Sequence, residues 1–112
     1  MKGTYLGEFE ELVLLMVVIL QEEAYVFKIR EEILEQLDRA VAMGALHATL
    51  ARLEKKGFLN SDMTGATQER GGRRKRVYQL TSSGKEAVKK VREIREKLWD
   101  QVPPVALNFR YG

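Results

Sequence analysis

Five cations, Arg70, Arg73, Arg74, Lys75 and Arg76, crowd a short stretch that also holds Gly71 and Gly72. Guanidinium and ammonium groups packed this densely, on a backbone that glycine leaves free to bend, suit the phosphates of a polyanion. A second set lies upstream, where Arg52, Lys55 and Lys56 follow Ala45, His47, Ala48 and Thr49. Small or hydrogen-bonding side chains stand first there and charges last. A helix with such a face can lie close against a surface, and the major groove of double-stranded DNA, roughly 12 Å wide, admits a helix. The chemistry these residues suggest is recognition. Arg70, Arg73, Arg74, Lys75 and Arg76 would meet phosphates beside or within the minor groove. Arg52, Lys55 and Lys56 would position a helix along the backbone, and Ala45, His47, Ala48 and Thr49 would read bases. Arg52 has a second reading, a salt bridge to a helix neighbour, and a cationic face taken alone is most often merely solvated.

The same residues leave little for catalysis. His47 is the sole histidine and the chain has no cysteine, so neither a metal site nor a catalytic triad can be assembled around it. Gly71-Gly72 lacks the spacing of a nucleotide-binding loop. No catalytic residue, metal or cofactor is expected.

The elements that must hold these side chains can be read from periodicity. Met43, Leu46, Leu50 and Leu53 recur at three- and four-residue spacing, which stacks them on one helical face as core. Gly57 supplies a left-handed stop, and Lys55 and Lys56 suit the negative end of the helix dipole. Residues 58–63 form one strand and 76–80 another, with the basic stretch at the tip between them. Recognition helix 44–56 and basic wing 64–76 together make a winged helix-turn-helix, a mainly α fold with a small β-hairpin. The wing tip around residues 64–68 is expected to be mobile.

Three stretches carry a family resemblance: Gly44-Ala45-Leu46-His47-Ala48-Thr49-Leu50-Ala51-Arg52-Leu53-Glu54-Lys55-Lys56-Gly57, then Gly71-Gly72-Arg73-Arg74-Lys75-Arg76-Val77-Tyr78, then Leu80-Thr81-Ser82-Ser83-Gly84. Together they resemble the PadR family of bacterial transcriptional regulators, and the likeness runs from Leu6 to about Trp99. It implies a homodimeric repressor whose short members pair through their first and last helices. It also implies, for some of them, planar or cationic small-molecule effectors held near a last-helix tryptophan. His47 and Ala48 depart from the family's usual Tyr-Pro, so a tyrosine contact to DNA does not carry over and His47 stands in its place.

Length and charge agree with a small binding module. At 112 residues, with net charge +3 and a pI near 9.3, the chain suits one domain whose cations are clustered rather than spread. Residues 1–81 would be the DNA-binding region, 82–102 a dimerisation helix and 103–112 a tail. The apolar run Leu12–Leu20 is well short of the roughly 20 residues needed to cross a bilayer, and Glu8, Glu10 and Glu11 precede it where a secretory signal would carry cations. No membrane partner and a cytoplasmic location are therefore expected.

That run reads as a helix with an acidic first turn, apolar all round, one side facing the core and another a second subunit; a buried strand is the competing assignment. Ile29, Ile33 and Leu37 mark the next helix, flanked by Phe27 and Leu34. Asp38–Ala42 then leads to the recognition helix, where Ala42 cannot cap. Thr81, or Ser83 with Glu86, caps a last helix in which Ala87, Val91, Ile94, Leu98 and Val102 approach the seam of a coiled coil. Opposite the seam, Glu86–Lys90, Lys89–Glu93 and Glu93–Lys97 are spaced as i,i+4 pairs, and Pro103-Pro104 stops the helix. The dimer interface would use Leu12, Leu15, Met16, Ile19, Val91, Ile94, Leu98 and Trp99. Trp99 either packs there or, as the resemblance implies, stacks an effector. The tail from Val105 either folds back onto a groove or frays. Two other functions remain open at this level. One is an adaptor that binds a protein through the winged helix, and the other is RNA binding, for which Tyr78 alone is a thin stacking platform.

Overall fold

The computed structural model describes residues 5–63 and 74–107. Helix α1 (Glu8–Leu20), a 3-10 turn (Gln21–Glu23), α2 (Val26–Leu37) and α3 (Met43–Lys55) come first. Strands β1 (Leu59–Met63) and β2 (Arg76–Leu80), α4 (Ser82–Trp99) and a second 3-10 turn (Pro104–Leu107) complete the order. The strands form an antiparallel hairpin in which Leu59 faces Leu80 and Met63 faces Arg76. The winged helix-turn-helix is thus present. Among the described residues, no helix is long and apolar enough to cross a membrane.

The apolar run of α1 forms a helix because its burial has an arc. Val13, Leu14, Met16 and Val17 are buried in the core, whereas Leu15, Val18 and Ile19 are exposed. At 100° per residue those two sets occupy opposite sides of the cylinder. Met16 is therefore a core residue of its own chain, at 3% exposure. This corrects its assignment to a subunit interface. Leu12 is partly buried against the same core.

In α2 only Ile29 and Ile33 are fully buried; Leu37, expected beside them, is exposed, as are Phe27 and Leu34. The helix ends with Asp38 in the left-handed region, its N–H donating to the Leu34 carbonyl. No strand forms over Asp38–Ala42. The Arg30 Nε donates to the Val41 carbonyl at 2.8 Å and fixes that connection instead. Ala42 precedes α3 with no side-chain cap, as its methyl requires.

The far end of α3 is closed by Gly57, at φ +83°. Gly57 N–H donates to Glu54 O and Phe58 N–H to Leu53 O, at 3.0 and 2.9 Å, the paired bonds of a Schellman stop. This turn swings the chain directly into β1. Thr81 then joins both ends of the wing. Its hydroxyl donates to Gly57 O at 2.6 Å, its N–H donates to Phe58 O at 3.1 Å, and its Oγ1 accepts the Gly84 N–H at 3.0 Å as the α4 cap. Gly84 is required there, since a Cβ would fall 2.1 Å from Phe58 O.

Helix α4 leaves the core soon after it begins. Ala87 is buried and Val88 and Val91 pack against the core, but Ile94, Leu98 and Trp99 are exposed. The helix ends at Trp99 and turns at Asp100 and Gln101, before the prolines. Val102 is therefore not part of the helical seam. The i,i+4 ion pair that forms along α4 is Arg92–Glu96 at 2.9 Å, while Arg95 reaches Glu11 of α1 at 2.8 Å. The three pairs expected from spacing do not form.

Candidate nucleic-acid interface

Three elements converge beside the start of α3. His47 projects from its first turns, Tyr25, Val26 and Phe27 open α2, and Arg74, Lys75 and Arg76 lead into β2. With Tyr78 they line one cleft of about 620 Å³. The hairpin is drawn to this position by a hydrogen bond from Tyr78 N–H to the Ala24 carbonyl, 2.9 Å, which pairs β2 with the chain just before α2. Lys75 adds a cation–π contact, its Nζ lying 3.9 Å from the centre of the Tyr25 ring. Burial pushes the Tyr78 phenol above its ordinary pKa, Glu54 adding to the shift and Arg76 opposing it. The ring therefore stays a neutral floor to a cationic cleft.

Of the helix residues expected to read bases, Ala45, His47 and Ala48 are solvent-exposed on α3. Thr49 is 3% exposed, which corrects its assignment as a base-reading residue. It lies only about 60° from Leu46 around the helix, on the flank of the core stripe, and its Oγ1 accepts from Arg52 Nη2 at 3.2 Å.

The helix cations divide into two kinds. Lys55 is exposed and makes no ion pair with the described residues. Arg52 and Lys56 are turned the other way, onto Glu10 of α1. Arg52 Nε donates to Glu10 Oε2 at 3.0 Å, and Lys56 Nζ to both oxygens at 2.9 and 3.0 Å. Gly7 N–H also donates to Glu10 Oε1, at 3.0 Å. Burial raises the Glu10 pKa, but the Gly7 amide, Lys56 and Arg52 outweigh it and hold the carboxyl below its usual value. Arg52 thus makes a salt bridge, but to Glu10 of α1 and not to the helix neighbour expected, and Lys56 shares it.

The wing cations divide in the same way. Arg74 is exposed and makes no ion pair with the described residues. Arg76 donates from Nη1 to Ser61 Oγ at 2.9 Å, and that hydroxyl donates onward to Glu54 Oε2 at 2.8 Å. The chain Arg76–Ser61–Glu54 ties β2 to β1 and to the last turn of α3, so the wing and the helix are held as one piece. Arg70 and Arg73, with the mobility expected of the wing tip, lie outside the described residues, as does the tail beyond Leu107.

Sequence reasoning missed Glu10 as the anchor of α3 and the aromatic pair Tyr25 and Phe27 as part of the cleft. Phe27 was legible, since two residues before Ile29 is about 200° round the helix and away from the core. Glu10 required the packing of α1 against α3, which no local pattern encodes.

The fold is similar to those of several solved structures. A PadR family transcription regulator from hypervirulent Clostridium difficile is 29% identical, with a TM-score of 0.61 over 83% of this chain and 96% of its own. A PadR-like transcriptional regulator from Bacillus cereus is 17% identical, with a TM-score of 0.68 over 88% and 91%. A winged-helix DNA-binding protein from STIV is 20% identical, with a TM-score of 0.65 over 84% and 94%. No curated protein matches the sequence. The family model described as the transcriptional regulator PadR-like family matches residues 14–90, a span that runs from the core arc of α1 through recognition helix, wing and capped start of α4. The chain therefore belongs to the PadR-like family of transcriptional regulators, whose fold is a winged-helix DNA-binding fold and whose members are not enzymes.

Proposed function

We propose that the chain acts as a homodimeric repressor that reads a palindromic operator, His47, Ala45 and Ala48 entering the major groove while Arg74, Lys75 and Lys55 meet phosphates. The observation that carries this reading is the shared cleft, in which His47 of α3 stands beside the wing-root cations. A groove-reading helix and a phosphate-binding wing must face the same duplex, and the Tyr78–Ala24 bond, which ties β2 to the chain before α2, supports that arrangement. Arg70 and Arg73 extend the cationic edge in sequence.

Dimerisation is supported by the apolar residues that α1 and α4 leave uncovered. Leu15 and Ile19 of α1, with Ile94, Leu98 and Trp99 of α4, are exposed large hydrophobics, and apolar patches on a small domain mark interaction surfaces. A twofold pair would present two recognition helices to half-sites one helical turn, or a multiple of it, apart. Trp99, 64% exposed, offers an indole face on which a planar or cationic effector would stack between subunits and relieve repression.

The test is fluorescence anisotropy on a duplex taken from upstream of the chain's own gene and on a scrambled duplex, with the oligomeric state measured by light scattering. Preference for the upstream duplex by a dimer supports the proposal. Equal, weak binding to both duplexes overturns it in favour of a winged-helix adaptor for a protein partner.

A further inference from the structure

Phe27 is the residue of the cleft that neither packing nor phosphate chemistry explains. It stands at the second position of α2, 63% exposed, and lines the same cleft as His47, Arg74 and Arg76. Exposing a phenyl ring to water has a cost that burial elsewhere would remove, and the core of α2 is already supplied by Ile29 and Ile33 on the far side of the helix. Around the ring Arg30, Arg74, Lys75 and Arg76 outnumber Glu31, which favours an anionic partner. Such a partner must also present an apolar group to the ring.

A DNA major groove meets both conditions. Its phosphates match Arg74 and Lys75. The apolar group on its base edges is the 5-methyl of thymine, a group that phenylalanine contacts well. We propose that Phe27 is a specificity-determining residue that packs on a thymine methyl beside the bases faced by His47, so that the opening turn of α2 reads sequence alongside α3. This rests on the DNA-binding reading above. Tyr25 positions the contact: it precedes α2, and its cation–π interaction with Lys75 keeps the wing root against the ring's own helix.

The experiment uses the full chain, the upstream duplex, and the same duplex with every thymidine replaced by deoxyuridine, which removes the methyls alone. Wild type is expected to bind the deoxyuridine duplex more weakly, by about fourfold for each thymine methyl that packs on the ring. Phe27→Ala is expected to bind the thymidine duplex more weakly by a similar factor, to discriminate between the two duplexes less than wild type by that factor, and to keep the wild-type salt slope. Phe27→Leu should restore part of the discrimination. Because the side chain is exposed, thermal melting of each variant should match wild type. If Phe27→Ala binds as wild type does, or discriminates thymidine from deoxyuridine as wild type does, the assignment is overturned. In that case specific binding by wild type leaves the regulator reading standing. If wild type itself shows no preference for the upstream duplex, both fall together.

Discussion

Lys56 Nζ lies 2.9 and 3.0 Å from the two carboxylate oxygens of Glu10, so the last turn of the recognition helix is bolted to the first turn of α1. Arg52 completes the clamp from the next turn back, 3.0 Å from Oε2. The cations at this end of α3 thus set the angle at which the helix is presented. A buried ion pair contributes modestly to net stability but is costly to break from one side, which suits a part whose purpose is orientation.

Glu10→Gln should therefore destabilise the fold by about 1–3 kcal/mol, a range kept low because Arg52 remains half exposed and can be solvated. The pH dependence has a definite sign. The folded-state pKa of Glu10 is held below its ordinary value, so its contribution is present above the unfolded pKa and is lost as pH falls through the folded one. Urea denaturation of both proteins from pH 7 into the acid range checks this, and the gap between wild type and Glu10→Gln should shrink as pH falls.

Gly84→Ala should destabilise the fold although alanine is the better helix former by about 1 kcal/mol. The added methyl would lie 2.1 Å from the Phe58 carbonyl oxygen, against backbone that Thr81 also binds. A loss of about 1–3 kcal/mol or more is expected, read as a lower urea midpoint. A rise in stability would show that α4 docks less closely than 2.1 Å implies.

Thr81→Ala should remove the cap of α4, the Oγ1 that accepts the Gly84 N–H, and with it the bond to Gly57 O. The expected loss is about 1–2 kcal/mol. Thr81→Ser should recover most of it in the same denaturation experiment.

Leu98→Asp and Ile94→Asp should yield folded monomers. Both positions are exposed in the isolated chain, so the charge meets water in the monomer and an apolar partner in a dimer. Light scattering reports the mass and circular dichroism the fold; a dimer that persisted in both variants would move the interface elsewhere.

Much of the architecture was legible because it rests on local signals. The spacing of Leu46, Leu50 and Leu53, the Gly57 stop and the Thr81 cap are each set by neighbours within a turn or two. The site was less legible where it depends on surfaces that meet through folding. Arg52 and Lys56 carry the composition of phosphate ligands, and their orientation toward Glu10 follows from the packing of α1 on α3. Thr49 looked polar and outward, but its place on the edge of the core stripe buries it. Phe27 and Leu34 looked like flanks of a core stripe, whereas their angle around α2 turns them to solvent.

If Arg74 and the cations beside it hold DNA by its phosphates while α3 reads the bases, binding must show both a salt slope and a preference between duplexes. The most direct test is anisotropy over a salt series for wild type and Arg74→Ala on the upstream and scrambled duplexes. Wild type is expected to bind the upstream duplex more tightly. Arg74→Ala is expected to bind both more weakly, with a salt slope shallower by about one for each phosphate that is no longer neutralised. Identical slopes and affinities for the two proteins, with no preference between duplexes, would contradict it.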